Sequence, residues 1–184
     1  MAVDVTKVMG QNPAYGRPVC PYRFDMDVVV RRATVEDAAG IAAVHVKAWQ
    51  EAYAHLVPAE NLARQKVEQR ALRWGEILDE GVRSVFVATD DGAVVGFAGS
   101  AARDQDAPRD LELESIYVLE NFHGTGAGQL LLDAAVGSAP AFLWVAEDNP
   151  RARAFYGRNG FAPDGEWQMH PLAGVPVRVV RLVR

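Results

Sequence analysis

Apolar and polar positions along the chain predict a series of strands and helices from about residue 28 to the C-terminus. Short apolar or alternating runs indicate strands, whereas apolar residues that recur every three to four positions indicate helices. Strands are predicted at 28–30, 84–89, 93–101, 111–118, 141–145, 161–167 and 175–182. Helices are predicted after Thr34, from about Pro58 to Leu78, at the glycines of 124–128 and after Asn149.

Residues 1–27 show no comparable periodicity and contain several glycines and prolines. We therefore predict an N-terminal extension over residues 1–27 and one domain over residues 28–184. A chain of 184 residues is long enough for one domain with a substantial core and too short for two large ones.

Three glycines stand at every second position, Gly124, Gly126 and Gly128, between an apolar strand and an apolar helix. Glycine lacks a Cβ, so backbone N–H groups can converge there on an anion, and the helix adds its own unpaired N–H groups and its dipole. The pattern predicts a phosphate or pyrophosphate site. A P-loop is excluded because Gln129 and Leu130 follow the last glycine, where a P-loop has Lys and then Ser or Thr. A dinucleotide-binding fingerprint is excluded because its sixth position, counted from Gly124, is Gln129.

A second motif starts at Asn149 and Pro150, directly after the predicted strand at 141–145. Asparagine is a favoured N-cap and proline is favoured in the first helical turn, so a helix is expected to begin here. Tyr156 follows Asn149 by seven residues, which places both near one face of that helix.

Composition narrows the functional classes. The formal net charge of −5 argues against a protein that binds nucleic acid by neutralising phosphates. Cys20 is the single cysteine, which excludes an intrachain disulfide and a cysteine zinc site and favours a reducing cytoplasm. No apolar run reaches the length of a membrane span. His45 and His55 have no histidine or carboxylate partner at metal-ligand spacing, so no metal is expected.

Together, the two motifs resemble the GNAT superfamily of acyl-CoA N-acyltransferases. The residues that carry the resemblance are Ile116–Val118, His123–Gly128, Leu130 and Leu131, followed by Asn149, Ala152, Phe155, Tyr156, Gly160 and Phe161. The superfamily loop usually begins with Arg or Gln, where this chain has His123. The resemblance spans about residues 28–184. It implies a mixed α/β fold with a central, mostly antiparallel sheet of six to seven strands, flanked by about four helices.

The resemblance implies that acetyl-CoA is the acyl donor. Its pyrophosphate would lie on the backbone N–H groups of Gly124 to Gly128, and its pantetheine arm would follow the strand that ends at Val118. The matching strands of the fold splay apart there, so the backbone groups of Ile116 and Val118 are expected to be free to pair with pantetheine amides. The residues expected to bind the donor are Ile116, Tyr117, Val118, His123, Gly124, Thr125, Gly126, Ala127, Gly128 and Asn149.

The resemblance also implies direct transfer to a primary amine. An aliphatic amine with a pKa of about 10.4 is neutral only about once in a thousand at pH 7, so the site needs a base. Glu112 matches the position where many relatives carry glutamate and is the first candidate, with Glu114 the second. Tyr156 is the candidate acid that protonates the leaving thiolate. Trp49 and Tyr53, which follow the first predicted helix, are expected to contact the acceptor.

Two other functions stay open on the residues alone. One is a non-catalytic module that binds acyl-CoA, and the other is a protein-interaction domain whose glycine loop is only a turn. Within the enzyme hypothesis, the acceptor is an amine of a small molecule, such as a polyamine, amino acid or aminoglycoside, or an amine of a peptide. The predicted terminal hairpin is a possible homodimer contact.

Overall fold

The computed structural model describes residues 27–184. Its strands are β1 (Val29–Arg32), β2 (Ser84–Asp90), β3 (Ala93–Ala102), β4 (Leu111–Val118), β5 (Phe142–Ala146), β6 (Ala162–Leu172) and β7 (Val175–Val183). Its helices are α1 (Ala38–Tyr53), α2 (Ala59–Ala63), α3 (Val67–Glu80), α4 (Ala127–Ala135) and α5 (Pro150–Arg158). Except for Asp27, the predicted extension, with Cys20, lies outside the described residues.

The seven strands form one sheet in the order β1-β2-β3-β4-β5-β7-β6. All neighbouring strands are antiparallel except β4 and β5, which are parallel and share a single paired position, Glu112 with Phe142. Beyond that pair the two strands separate, which opens the middle of the sheet. The predicted mixed, mostly antiparallel sheet and the predicted order of its seven strands along the chain are confirmed.

Side chains of successive strand residues point to opposite faces of the sheet, and each face has its own core. On one face, α1 and α3 cover Val87 and Phe97, which are fully buried. On the other face, α4 packs over Ala88 and Ala98, and Tyr156 of α5 belongs to the same core. The sheet is thus covered by a core on each of its faces.

The predicted second helix was wrong in its length, because the stretch from Pro58 to Leu78 forms two helices, α2 and α3. Leu62 of α2 is buried beside Val57 and Leu172, whereas Trp74 of α3 is buried on the core beneath α1. The chain turns between the two helices so that both apolar residues are buried. No helix within residues 27–184 has the length and apolar character needed to cross a membrane.

Candidate functional site

A cavity of about 830 Å³ occupies the opening between β4 and β5. Leu113 to Val118 line it along β4, and Trp144 and Val145 line it along β5. The C-terminal end of α1, the start of α4 and α5 along most of its length complete its walls. Because β4 and β5 pair at only one position, the facing edges of both strands are accessible within this cavity.

The edge of β4 that faces the cavity carries backbone groups of Ile116 and Val118. The Leu119 N–H donates to Val95 of β3, and the Tyr117 carbonyl also faces β3 at Gly96. Backbone groups of alternate residues point to opposite edges of a strand, so those of Ile116 and Val118 face the opening. The Val118 carbonyl, however, accepts a hydrogen bond of 2.9 Å from Nε2 of His123. The expectation that this carbonyl is free was therefore wrong.

The glycine loop presents unpaired backbone N–H groups to the same cavity. Gly124 and Gly126 adopt positive φ values of 81° and 95°, and α4 begins directly after Gly126. The N–H groups of Gly124, Gly126, Gly128 and Gln129 have no hydrogen-bond partner within residues 27–184, and all four residues line the cavity. Convergent N–H groups at the positive end of a helix dipole form an anion site.

Thr125 and Ala127 of the predicted donor set do not line the cavity. Their N–H groups are bonded within the loop, that of Thr125 to the Phe122 carbonyl and that of Ala127 to the Thr125 hydroxyl. In this loop, the glycine N–H groups are therefore left for the cavity, whereas the N–H groups of the residues between the glycines hold the loop together.

Asn149 caps α5 as its sequence predicts. Its Oδ1 accepts a hydrogen bond of 3.0 Å from the Ala152 N–H, and the residue also lines the cavity. Arg151 and Arg158 line the cavity as well, and both side chains are exposed. They add positive charge on the side of the opening formed by α5.

The two glutamates of β4 differ in their position. Leu113 pairs with Ser100 of β3 and Ser115 pairs with Gly99, so Glu114 has no partner and forms a β-bulge. A bulge redirects a side chain, and Glu114 lines the cavity whereas Glu112 does not.

Two arginines that the sequence did not single out hold these carboxylates. Arg83 Nε donates to one oxygen of Glu114 at 2.7 Å, and Arg103 Nη2 donates to the other at 2.6 Å. Arg103 Nε also donates to Glu112. The network fixes the Glu114 carboxylate at the edge of the cavity.

Tyr156 of α5 lines the cavity and is only 8% exposed. Its burial raises the pKa of its hydroxyl above the usual 10, and Tyr117 raises it further. The hydroxyl is therefore protonated at neutral pH. It has no hydrogen-bond partner among the described residues, which leaves its proton for a bound molecule.

Tyr53 and Trp49 of α1 take different places in the predicted acceptor wall. Tyr53 lines the cavity, and its hydroxyl lies 3.1 Å from the hydroxyl of Tyr117. Trp49 lies outside the cavity and packs edge-on against the Tyr53 ring. Tyr117 was predicted to bind the donor, but its side chain was not expected in this wall.

The acetyltransferase (GNAT) family profile matches residues 47–161, and every residue that lines the cavity falls between positions 48 and 158. The chain belongs to the acetyltransferase (GNAT) family. It is accordingly an acetyltransferase.

The chain is also similar to individual known proteins. YuaI, an uncharacterized N-acetyltransferase of Bacillus subtilis (strain 168), is 35% identical over 131 residues, which are 67% of this chain and 74% of that protein. The fold is shared with the PaiA N-acetyltransferase from Thermoplasma acidophilum in complex with coenzyme A, at a TM-score of 0.61 and 17% identity over 86% of this chain and 100% of that chain. It is also shared with yncA from Salmonella typhimurium, solved with its cofactor acetyl-CoA, at a TM-score of 0.64 and 19% identity over 86% and 93% of the two chains.

Beside Trp49 and Tyr117 of this GNAT acetyltransferase, His45 is buried in a neutral form. Its Nδ1 accepts a hydrogen bond of 3.1 Å from Trp74 Nε1. Burial, with a smaller effect of Arg70, lowers the pKa of His45 from 6.5 to about 3. As the pH falls below 6.5, the unfolded chain takes up a proton at this residue and the folded protein does not.

The free energy of unfolding is therefore expected to fall by up to about 1.4 kcal/mol per pH unit from pH 6.5 downward. Below about pH 3, where the folded protein also protonates His45, this fall ends. Replacing His45 by Asn keeps an acceptor for Trp74 and removes the titratable imidazole. Between pH 6.5 and 5, the free energy of unfolding of the variant should therefore fall by about 2 kcal/mol less than that of the wild-type protein. Urea unfolding at both pH values measures this difference. His170→Asn, at an exposed position on β6, is the control and should retain the wild-type loss. Equal losses in all three proteins would contradict the prediction.

Proposed function

We propose that this protein is an acetyl-CoA-dependent N-acetyltransferase that moves an acetyl group directly to a primary amine of a small molecule or peptide. The observation that carries the proposal is a set of four N–H groups, at Gly124, Gly126, Gly128 and Gln129, that are unpaired within residues 27–184 and share one cavity with the open edge of β4. Solved acetyltransferases with coenzyme A or acetyl-CoA share this fold and support the choice of donor.

In this proposal the loop N–H groups bind the donor pyrophosphate, and Arg151 or Arg158 meets the 3′-phosphate. The pantetheine arm pairs with the carbonyl of Ile116 and with the N–H of Val118. A pantetheine amide that uses the Val118 carbonyl must displace the His123 imidazole, which occupies that carbonyl in the free protein.

The substrate amine then attacks the thioester carbonyl carbon. Glu114, directly or through a water molecule, takes the proton from the amine, and the Ile116 N–H stabilises the oxyanion. Collapse of the tetrahedral intermediate breaks the carbon–sulfur bond, and the Tyr156 hydroxyl protonates the departing thiolate. Glu112, the first candidate from the sequence, lies outside the cavity, so we propose Glu114 as the base.

Homodimer formation and a cytoplasmic location stay predictions. The edge strand β6 is the place where a second copy would pair, because ten of its eleven residues are exposed and Trp167 and Met169 are each 54% exposed.

The first test is acetyl-CoA binding by calorimetry, with coenzyme A and ATP for comparison. We expect binding of both CoA species and not of ATP. Gly126→Val should weaken acetyl-CoA binding by about 100-fold or more, because a side chain at this φ of 95° distorts the N–H array.

Gly165→Val is the matched control, since Gly165 has a φ of 97°, equally open surroundings and a place on β6 outside the cavity. Equal affinity of the two variants, or no binding of acetyl-CoA by the wild-type protein, would overturn the proposed donor. Binding without acetyl transfer to any amine would instead indicate a non-catalytic acyl-CoA-binding module.

A further inference from the structure

The His123 side chain occupies a backbone group on the open edge of β4. Its Nε2 lies 2.9 Å from the Val118 carbonyl oxygen, and both residues line the cavity. A carbonyl oxygen only accepts hydrogen bonds, so Nε2 carries the hydrogen and is the donor. In the free protein the imidazole thus takes the place that an amide N–H of a pantetheine arm would have.

Only the side chain of His123 has to move for this carbonyl to become free. The His123 N–H donates to the Glu120 carbonyl at 3.0 Å. The Thr125 N–H and hydroxyl both donate to the Phe122 carbonyl. Because these bonds hold the backbone on both sides of the imidazole, a change of the His123 rotamer releases the Val118 carbonyl and leaves the glycine loop in place.

We propose that His123 makes the enzyme selective for acyl donors that carry a pyrophosphate, by exchanging the Val118 carbonyl for a phosphate oxygen when the donor binds. The proposal rests on the proposed acetyl-CoA-dependent transfer and adds a selection step to it. The pantetheine arm takes the carbonyl, and the released Nε2–H donates to the pyrophosphate.

The position of His123 beside the anion site supports this exchange. Gly124 follows it directly in the chain, and the Gly124 N–H is one of the four that line the cavity without a partner within residues 27–184. No atom lies within 4 Å of the place where a Cβ of Gly124 would be, so there is open space next to the loop. A hydrogen bond to a charged phosphate oxygen is at least as strong as one to a neutral carbonyl.

The exchange has a different result for a thioester that has the pantetheine arm but no pyrophosphate. Such a thioester breaks the bond between His123 and Val118 and offers the released N–H no new hydrogen-bond acceptor. Acetyl-CoA breaks the same bond and replaces it. His123 therefore lowers the affinity for the shorter donor and leaves that for acetyl-CoA nearly unchanged.

The test measures the affinities of acetyl-CoA and S-acetylpantetheine for the wild-type protein and for His123→Ala by calorimetry. We expect the variant to bind S-acetylpantetheine about tenfold more tightly, the effect of one hydrogen bond that no longer has to be broken. Its affinity for acetyl-CoA should stay within about threefold of the wild-type value, because the lost competitor and the lost phosphate contact offset each other. Damage to the loop cannot explain a gain in affinity.

His55→Ala is the matched control. His55 Nε2 also donates to a backbone carbonyl in the cavity wall, that of Asp148 at 2.8 Å, but it belongs to neither β4 nor the glycine loop. Both affinities of this variant should stay within about twofold of the wild-type values. His123→Phe, which keeps an aromatic ring and removes the N–H donor, should show the same gain as His123→Ala and replaces it if that variant does not fold.

Three results would overturn the proposal. No gain with S-acetylpantetheine in the His123 variants would show that the imidazole keeps the Val118 carbonyl when the arm binds. Weaker binding of both ligands would assign His123 a structural role in the loop, and an equal gain with both ligands would show that the released N–H does not reach the pyrophosphate. If the wild-type protein does not bind acetyl-CoA at all, the proposed donor fails as well, so the two failures are distinguishable.

Discussion

Replacing Tyr156 by phenylalanine is expected to lower kcat by about 100-fold while the KM for acetyl-CoA stays within about twofold. The hydroxyl lines the cavity, has no partner within the described residues and keeps its proton at neutral pH because burial raises its pKa. These properties suit a group that donates a proton only when negative charge develops on the sulfur. Phenylalanine keeps the ring, which packs against Phe155 and Phe161, and removes only the proton.

Steady-state thiol release at saturating acetyl-CoA measures this effect, and thermal unfolding provides the control. A purely structural role of Tyr156 would lower the melting temperature and leave kcat of the folded enzyme nearly unchanged. A variant with the wild-type kcat would show that another group, or water, protonates the thiolate.

Replacing Glu114 by glutamine is expected to lower kcat/KM for the amine by about 100-fold at neutral pH, because the amide cannot take a proton from the substrate ammonium. Glu114 is the β4 glutamate whose side chain lines the cavity, and its carboxylate is fixed by Arg83 and Arg103. The pH profile of kcat/KM separates this role from a structural one. If Glu114 is the base, its substitution removes the decline of kcat/KM at acidic pH. If the substitution only disturbs an ion pair, it lowers kcat/KM at every pH.

Glu112→Gln is the matched control for this prediction. Glu112 lies two residues away and shares Arg103, so its substitution also disturbs the ion-pair network. It lies outside the cavity, and its effect on kcat/KM should stay below about threefold. The opposite ranking, with the larger loss in Glu112→Gln, would restore the assignment that the sequence alone favours.

Local features of this protein could be predicted from the sequence because short stretches of chain determine them. Gly124 and Gly126 take positive φ values that favour glycine, and the Asn149 side chain caps the helix that follows it. The seven strands and their order follow from apolar periodicity and turn residues in the same way. The anion site, the element order and the family assignment all rest on such features.

Features that join distant segments could not be predicted in the same way. Glu112 and Glu114 look equivalent in sequence, and only the pairing of β4 with β3 shows that Glu114 is in a bulge. His123 was expected to bind the donor, and only the structure shows that its ring bonds the Val118 carbonyl. Arg83 lies 31 residues from Glu114 in the sequence, and no motif or spacing predicted their contact.

The sequence by itself thus indicated that the glycine loop at 124–128 is suited to bind a phosphate and which fold surrounds it, because these depend on residue type and short-range periodicity. The tertiary structure decided which carboxylate lines the cavity, which carbonyl is occupied and how the Tyr53 and Tyr117 hydroxyls pair. Those outcomes depend on strand register and on contacts between α1, β4 and α5, and a difference of one residue in register is enough to turn a side chain to the other face of the sheet.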